Sequence, residues 1–242
     1  MRELEELVNV DDPAWPVLQE AFDNAAVEVT VLPGAAGGDG AALLQLQVTA
    51  RSALGAMVLR CGGLMLDGGW LRIFGGTAPS PQGALPGLAA VNQFPGRVDP
   101  EWRPTAGLVV GQDVLGGVFA LNGHDPAAAG RPGLPGQMTY FAPDSLEWEA
   151  MSVGYGAWLT WALSDRLAQF YAGLRWTGWQ EETANLTVAQ GITVYPFLWS
   201  KEAQEDLAAT SRAPAPMTEI LTMNQDFCRQ MELPDPGFLG AA

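Results

Sequence analysis

From Gly107 to Leu163 the chain divides its apolar residues into runs too short for stable helices and separates those runs with glycine and proline. Gly107-Leu-Val-Val-Gly-Gln-Asp113 ends in an acid, and Gly116-Gly-Val-Phe-Ala-Leu-Asn122 follows at once. A loop from His124 to Gly136 holds three prolines, after which comes Tyr140-Phe-Ala-Pro-Asp-Ser-Leu-Glu-Trp-Glu149. Short runs bounded by Gly/Pro clusters are the pattern of strands joined by turns. Strands are therefore expected over 106–111, 118–122 and 138–141, with a further one where Leu146, Trp148 and Met151 recur. Tyr155, Trp158, Leu159, Ala162 and Leu163 then fall at helical spacing, so the meander is closed by a helix.

The same punctuation occurs upstream. Runs at 56–60, 64–66 and 70–74 are divided by Gly62-Gly63 and Asp67-Gly68-Gly69, dipeptides that supply the positive φ of tight hairpin turns. They read as three strands of a small antiparallel sheet. Before them, a short amphipathic turn carries Leu4, Leu7 and Val8. Asp12 followed by Pro13 reads as the cap and first residue of a helix reaching residue 25. A strand is expected over 27–31 and a helix over 41–48. After the meander, helices are expected behind Ser164-Asp165 and over 180–186, a strand over 188–195, and a helix from 217 or 218 to 231.

Together these give an α+β protein: one domain over 1–242, a mainly antiparallel curved sheet with helices packed on one face. Residues 75–104 read as an irregular internal loop region containing one short helix over 88–93, and 233–242 as a flexible tail. Hydrophobic residues make up 48% of the chain, nine of them Trp, enough for a sizeable core.

Acids outnumber bases 27 to 12, a net charge of -15. That field repels phosphate backbones and anionic lipid, and steers basic partners inward. Nucleic-acid and membrane-surface binding are thus disfavoured. No apolar run approaches the roughly 20 residues that cross a bilayer, and the acidic start Met1-Arg-Glu-Leu-Glu-Glu lacks the basic region of a signal peptide. A cytoplasmic protein is the expectation, with Cys61 and Cys228 as two unbridged thiols.

Recognisable catalytic patterns are few. The chain has one histidine, His124, which with two distant thiols supplies neither a zinc site nor, without a G-x-S-x-G elbow, a hydrolytic triad. The loop Gly34-Ala-Ala-Gly-Gly-Asp-Gly40 has no Lys-Ser/Thr after it and is no phosphate cradle. No metal or cofactor is implied. A pair of carboxylates could serve a glycosidase, and Asp113, Asp144, Glu147 and Glu149 stand closest to the expected strand ends, where turns and caps also want acids. The tryptophans occupy periodic apolar positions and read as core. Arg72 and Arg175, close to Trp in sequence, read as snorkelling or carboxylate-paired side chains.

Leu4-Glu-Glu-Leu7, Asp12-Pro-Ala-Trp-Pro16, Leu46-Gln-Val-Thr-Ala-Arg-Ser52, Gly69-Trp-Leu-Arg-Ile73, Asp113-Val-Leu-Gly-Gly-Val-Phe-Ala-Leu-Asn122, Tyr140-Phe-Ala-Pro-Asp-Ser-Leu-Glu-Trp148, Phe170-Tyr-Ala-Gly-Leu-Arg-Trp176 and Tyr195-Pro-Phe-Leu-Trp199 together resemble the bacterial domain of unknown function 2625 family over nearly the whole chain. That family has no established activity. Residues 107–163 alone are similar to the distal half of SUKH superfamily domains, although the Leu-Pro-x-x-Tyr signature of that superfamily is absent. The resemblance implies an α+β fold and, from many bacterial members, an immunity protein that neutralises a toxin. The function expected is a non-catalytic protein-binding module, immunity or regulatory, for a basic partner or toxin. Its face is expected at Asp113, Asn122, His124, Asp144 and Glu147. The alternative is a carboxylate-dependent hydrolase acting on a carbohydrate.

Overall fold

The computed structural model describes residues 1–79 and 84–241. The elements run α1 (Leu4–Val8), α2 (Trp15–Asp23), β1 (Val29–Pro33), α3 (Gly40–Leu46), α4 (Ala53–Arg60), β2 (Cys61–Leu66), β3 (Leu71–Phe74) and α5 (Leu88–Val91). They continue with β4 (Gly107–Asp113), β5 (Val118–Asn122), β6 (Met138–Ala142), β7 (Glu147–Ala150), α6 (Tyr155–Ala162) and α7 (Arg166–Phe170). The last are α8 (Trp179–Ala184), β8 (Gln190–Tyr195), α9 (Lys201–Glu205), β9 (Ser211–Pro216) and α10 (Met217–Gln230).

Strands β1 to β7 form one seven-stranded sheet in chain order, every pair antiparallel. The protein is a single-domain α+β fold whose larger sheet is a meander. Chain order becomes sheet order because glycine closes the turns: Asp67 (φ 50), Gly68 and Gly69 lie between β2 and β3, and Gly116 (φ 88) between β4 and β5. The register of β4 on β5 shifts between Val109 and Gly111, a bulge that bends the strand at its middle. At the far edge, β7 exposes Glu147 and Glu149, charges that discourage further strand pairing.

One face of the sheet is covered by α6 and α7. Phe119 of β5 lies 5.2 Å from Trp158 and 6.1 Å from Phe170 between ring centroids, and Tyr140 of β6 lies 5.0 Å from Phe170. A Cβ at Gly111 would crowd the Arg72 carbonyl oxygen at 3.0 Å, so glycine lets β3 and β4 approach closely there. Phe119 is fully buried, a transfer that contributes roughly 1.5–3 kcal/mol. Trp70, Trp158 and Trp176 are core residues, and Trp148, Trp161, Trp179 and Trp199 pack against the core half-buried.

The run expected as a strand over 56–60 is the helix α4 instead. Leu54 to Leu59 are all buried, so the segment has no polar face, and a run buried all round carries no period that separates strand from helix. What decides it is Ser52, whose Oγ accepts the Gly55 N–H at 3.0 Å as an N-cap. Helix α2 starts two residues later than expected. Its N-cap is Ala14, not Asp12, and makes no side-chain cap bond; the Ala14 N–H goes instead to Ala50 O at 2.9 Å. β9 was hidden in the sequence by Pro214 and Pro216. It pairs only with β8, so its second edge needs no donors and tolerates both prolines.

The C-terminal segment, expected as a tail, is bonded to β7, β4, the proline loop and α5. Trp148 Nε1 donates to Pro236 O (3.0 Å), Arg131 Nη2 to Phe238 O (3.0 Å), Gln112 Nε2 to Leu239 O (3.1 Å) and Ala241 N to Val91 O (2.8 Å). No helix among the described residues is long and apolar enough to cross a membrane.

Replacing Ser52 with Ala removes the α4 cap, and urea denaturation is expected to show a loss of about 1 kcal/mol with an unchanged m value.

Candidate functional site

Successive side chains on a strand point to opposite faces, so at the end of β4 Gln112 and Asp113 serve different places. Asp113 is entirely buried. Its Oδ2 accepts from Tyr140 OH (2.8 Å) and Tyr171 OH (3.0 Å), and its Oδ1 from the Leu115 and Gly117 N–H groups (2.9 Å each). Four donors use the acceptor capacity of a carboxylate. Burial pushes the Asp113 carboxyl up, and those four bonds pull it part of the way back. Burial and then the charge of Asp113 hold the Tyr140 and Tyr171 hydroxyls well above the ordinary tyrosine range. A Cβ at Gly117 would collide with Asp113 Oδ2 and Tyr140 OH, so the turn requires glycine there. This is an Asx-type turn fused to an aromatic knot, closed to any substrate.

The other expected site residues do not join Asp113. Asn122 is buried, its Nδ2 donating to Pro132 O (2.8 Å) and Leu134 O (3.4 Å); it anchors the proline loop. His124 is exposed on that loop. Asp144 and Glu147 lie at the β6–β7 turn, half-buried and exposed respectively. They share a field with Glu149, whose carboxyl is raised by partial burial, then by Asp144 and Glu147.

On the face opposite Asp113, Arg72 of β3 stands directly across from Gln112 of β4 in the register. Both line a cavity of about 400 Å³. Its walls are apolar, from Phe74, Leu85, Pro86, Ala90, Val188 and Met217, and Thr77 adds one hydroxyl. Among the described residues no acid, cysteine or histidine lines it. Arg72 is 3% exposed and Gln112 4%. Arg72 Nε donates to Gly69 O (3.3 Å), and Nη1 to Val188 O (2.8 Å) and Gln190 O (2.6 Å). Burial lowers its guanidinium to about 10 while the Asp113 charge opposes this, so it stays protonated at neutral pH.

Arg175 forms the carboxylate pair expected of it, with Asp67 at 2.6 Å, and lies over Trp179. Arg72 does not: among the described residues it belongs to none of the ion pairs. Sequence reading missed the cleft. The signal available was a charge between Leu71 and Ile73 in a short apolar run, since a buried polar residue says more than a buried apolar one.

The profile of the protein of unknown function DUF2625 matches residues 4–220. The chain belongs to the DUF2625 family. It is 38% identical over 224 residues to YbfG, an uncharacterised protein of Escherichia coli (strain K12), covering 92% of this chain and 95% of that protein. It is 30% identical over 199 residues to an uncharacterised protein of Haemophilus influenzae (strain ATCC 51907 / DSM 11121 / KW20 / Rd), covering 82% of this chain and 83% of that one. No solved structure matches. The DUF2625 match spans β3 and β4, and so both polar residues of the cleft.

Asp113→Ala strands two hydroxyls and two N–H groups in the core of this DUF2625 protein, and denaturant unfolding should show a loss of about 3–5 kcal/mol. Because the folded carboxyl is raised above the ordinary 3.8, its contribution is complete below that value and is lost as pH rises through the folded value. Asp113→Asn should therefore lower stability at acid pH and flatten that fall; an unchanged pH slope would show that the carboxyl is not raised.

Proposed function

We propose that the protein is a non-catalytic binding protein whose site is the cleft between Arg72 and Gln112. The observation that carries this reading is the composition of the cavity, about 400 Å³ with apolar walls, two convergent buried polar side chains and, among the described residues, no acid or thiol. Small-molecule sites of roughly 300–1,000 Å³ are built in that way. The groups that could perform chemistry lie elsewhere and are ill placed for it. The Cys61 thiol is pushed up to about 11 by burial, which disfavours the nucleophilic thiolate. Cys228 is also buried, and the Asp113 carboxylate is occupied by four donors. A carboxylate-dependent hydrolase needs two acids across a cleft, whereas Asp144, Glu147 and Glu149 sit on one surface hairpin.

That hairpin favours a second reading, recruitment of a basic protein. Three acids there share one field on a chain of net charge -15; the SUKH resemblance read in residues 107–163, which the comparisons do not show, would make that partner a toxin. The two readings are separable.

A thermal-shift screen of small metabolites, with mass spectrometry of each hit, is expected to recover a stabilising ligand chemically unchanged; a hit converted to product would contradict the non-catalytic reading. Affinity capture at rising salt addresses the hairpin. A partner whose retention falls with salt and with Glu147→Lys and Glu149→Lys together supports the second reading; retention indifferent to both removes it.

A further inference from the structure

We propose that the ligand of this cleft is a small carboxylate with an apolar body, its carboxylate held by the Arg72 guanidinium beside Gln112. The proposal rests on the reading of the cleft as the binding site and adds the chemical class it accepts.

A guanidinium has five N–H donors. At Arg72 the Nε donor and the two on Nη1 are taken by the carbonyls of Gly69, Val188 and Gln190. The two N–H groups of Nη2 have no acceptor among the described residues and stay open to the cleft. The three carbonyls fix the plane of the group without cancelling its charge, and the one acid that acts on it through space, Asp113, is turned to the opposite face and occupied by four donors. A guanidinium whose body is buried and fixed while two donors stay open to an apolar cleft is set to receive an anion there. The site is built rather than incidental: both Arg72 and Gln112 are more than nine-tenths buried, and register places them side by side.

Charge counting selects the anion. Among the described residues one guanidinium faces the cavity, with no lysine, second arginine or histidine in the lining. A monoanion is neutralised by that single charge. A phosphate, with nearly two charges and more oxygens to satisfy, would leave charge stranded against Phe74, Leu85, Pro86, Val188 and Met217. The net charge of -15 opposes polyanions further. Apolar walls ask for a hydrocarbon or aromatic body behind the carboxylate. Gln112, with Nε2 committed to Leu239 O, can still accept through Oε1, which admits a ligand carrying a hydroxyl or N–H near its acid.

The test is calorimetric titration of the full chain, at fixed ionic strength, with hexanoate and 3-phenylpropionate against 1-hexanol, hexylamine and hexyl phosphate. Both carboxylates are expected to bind with 1:1 stoichiometry, and each of the other three about tenfold more weakly or not at all. Arg72→Met should abolish the preference for the acid. Because Arg72 also holds three backbone carbonyls, that variant could fail to fold. Ala90→Trp, which fills the cleft from its exposed wall and leaves Arg72 intact, is expected to abolish carboxylate binding while circular dichroism stays native. Hexanoate binding that survives Ala90→Trp overturns the proposal by placing the acid elsewhere. Hexanol, hexylamine or hexyl phosphate binding as tightly as hexanoate, and lost in Ala90→Trp, overturns the carboxylate class while leaving the cleft as a binding site. No binding by either carboxylate overturns the class as well; the cleft itself fails as a site only when no ligand of any class from the thermal-shift screen depends on Ala90.

Discussion

One buried carboxylate organises the centre of this molecule. Asp113 closes the β4–β5 turn through the Leu115 and Gly117 N–H groups and reaches across to the hydroxyls of Tyr140 on β6 and Tyr171 just beyond α7. Three parts of the chain far apart in sequence thereby share one acceptor. Its burial is tolerable only because every lone pair is matched, and that requirement propagates outward. Gly117 must lack a side chain, and the aromatic layer of Phe119, Trp158 and Phe170 must seal the knot from water. An acid that by type looks like chemistry is spent on architecture.

The same strand then provides the molecule's second polar place. With Asp113 turned into the knot, Gln112 faces the other way and meets Arg72 across the β3–β4 register. The sheet therefore separates its buried charges by face: the carboxylate on the side covered by α6 and α7, the guanidinium on the side of the cleft. The Val188 and Gln190 carbonyls that hold Arg72 come from the approach to β8 and its first residue, and the Leu239 carbonyl that holds Gln112 comes from the C-terminal segment. Both polar residues are thus positioned by segments outside the seven-stranded sheet, which ties the shape of the cleft to the docking of the chain's last third.

Much of the fold was legible in the sequence because it is written in turns. Glycine at 116 and at 68 and 69 marks where strands reverse, and an antiparallel meander needs little more than reversals and short apolar runs; β5 falls where its residues placed it. Legibility failed where tertiary context decides. Helix α4 is apolar on every side, so only the Ser52 cap distinguishes it from a strand. β9 holds prolines that are harmless on an edge but look like breakers in one dimension. The site was less legible still. Asp113, Asn122 and Asp144 stand out by residue type, yet Asp113 and Asn122 prove to be internal fasteners and Asp144 a turn residue. Arg72 and Gln112 are forty residues apart and acquire meaning only through a register that no local pattern encodes.

Function at the cleft therefore turns on whether the free edge of the Arg72 guanidinium receives an acid. A crystal structure of the protein grown with 3-phenylpropionate tests this most directly. The expected result is density for the carboxylate within hydrogen-bond distance of Arg72 Nη2, the ring against Phe74 and Met217, and Arg72 still bonded to Gly69, Val188 and Gln190. Density for the acid elsewhere with the cleft filled only by water, or an Arg72 already paired with a carboxylate of the protein itself, would contradict it.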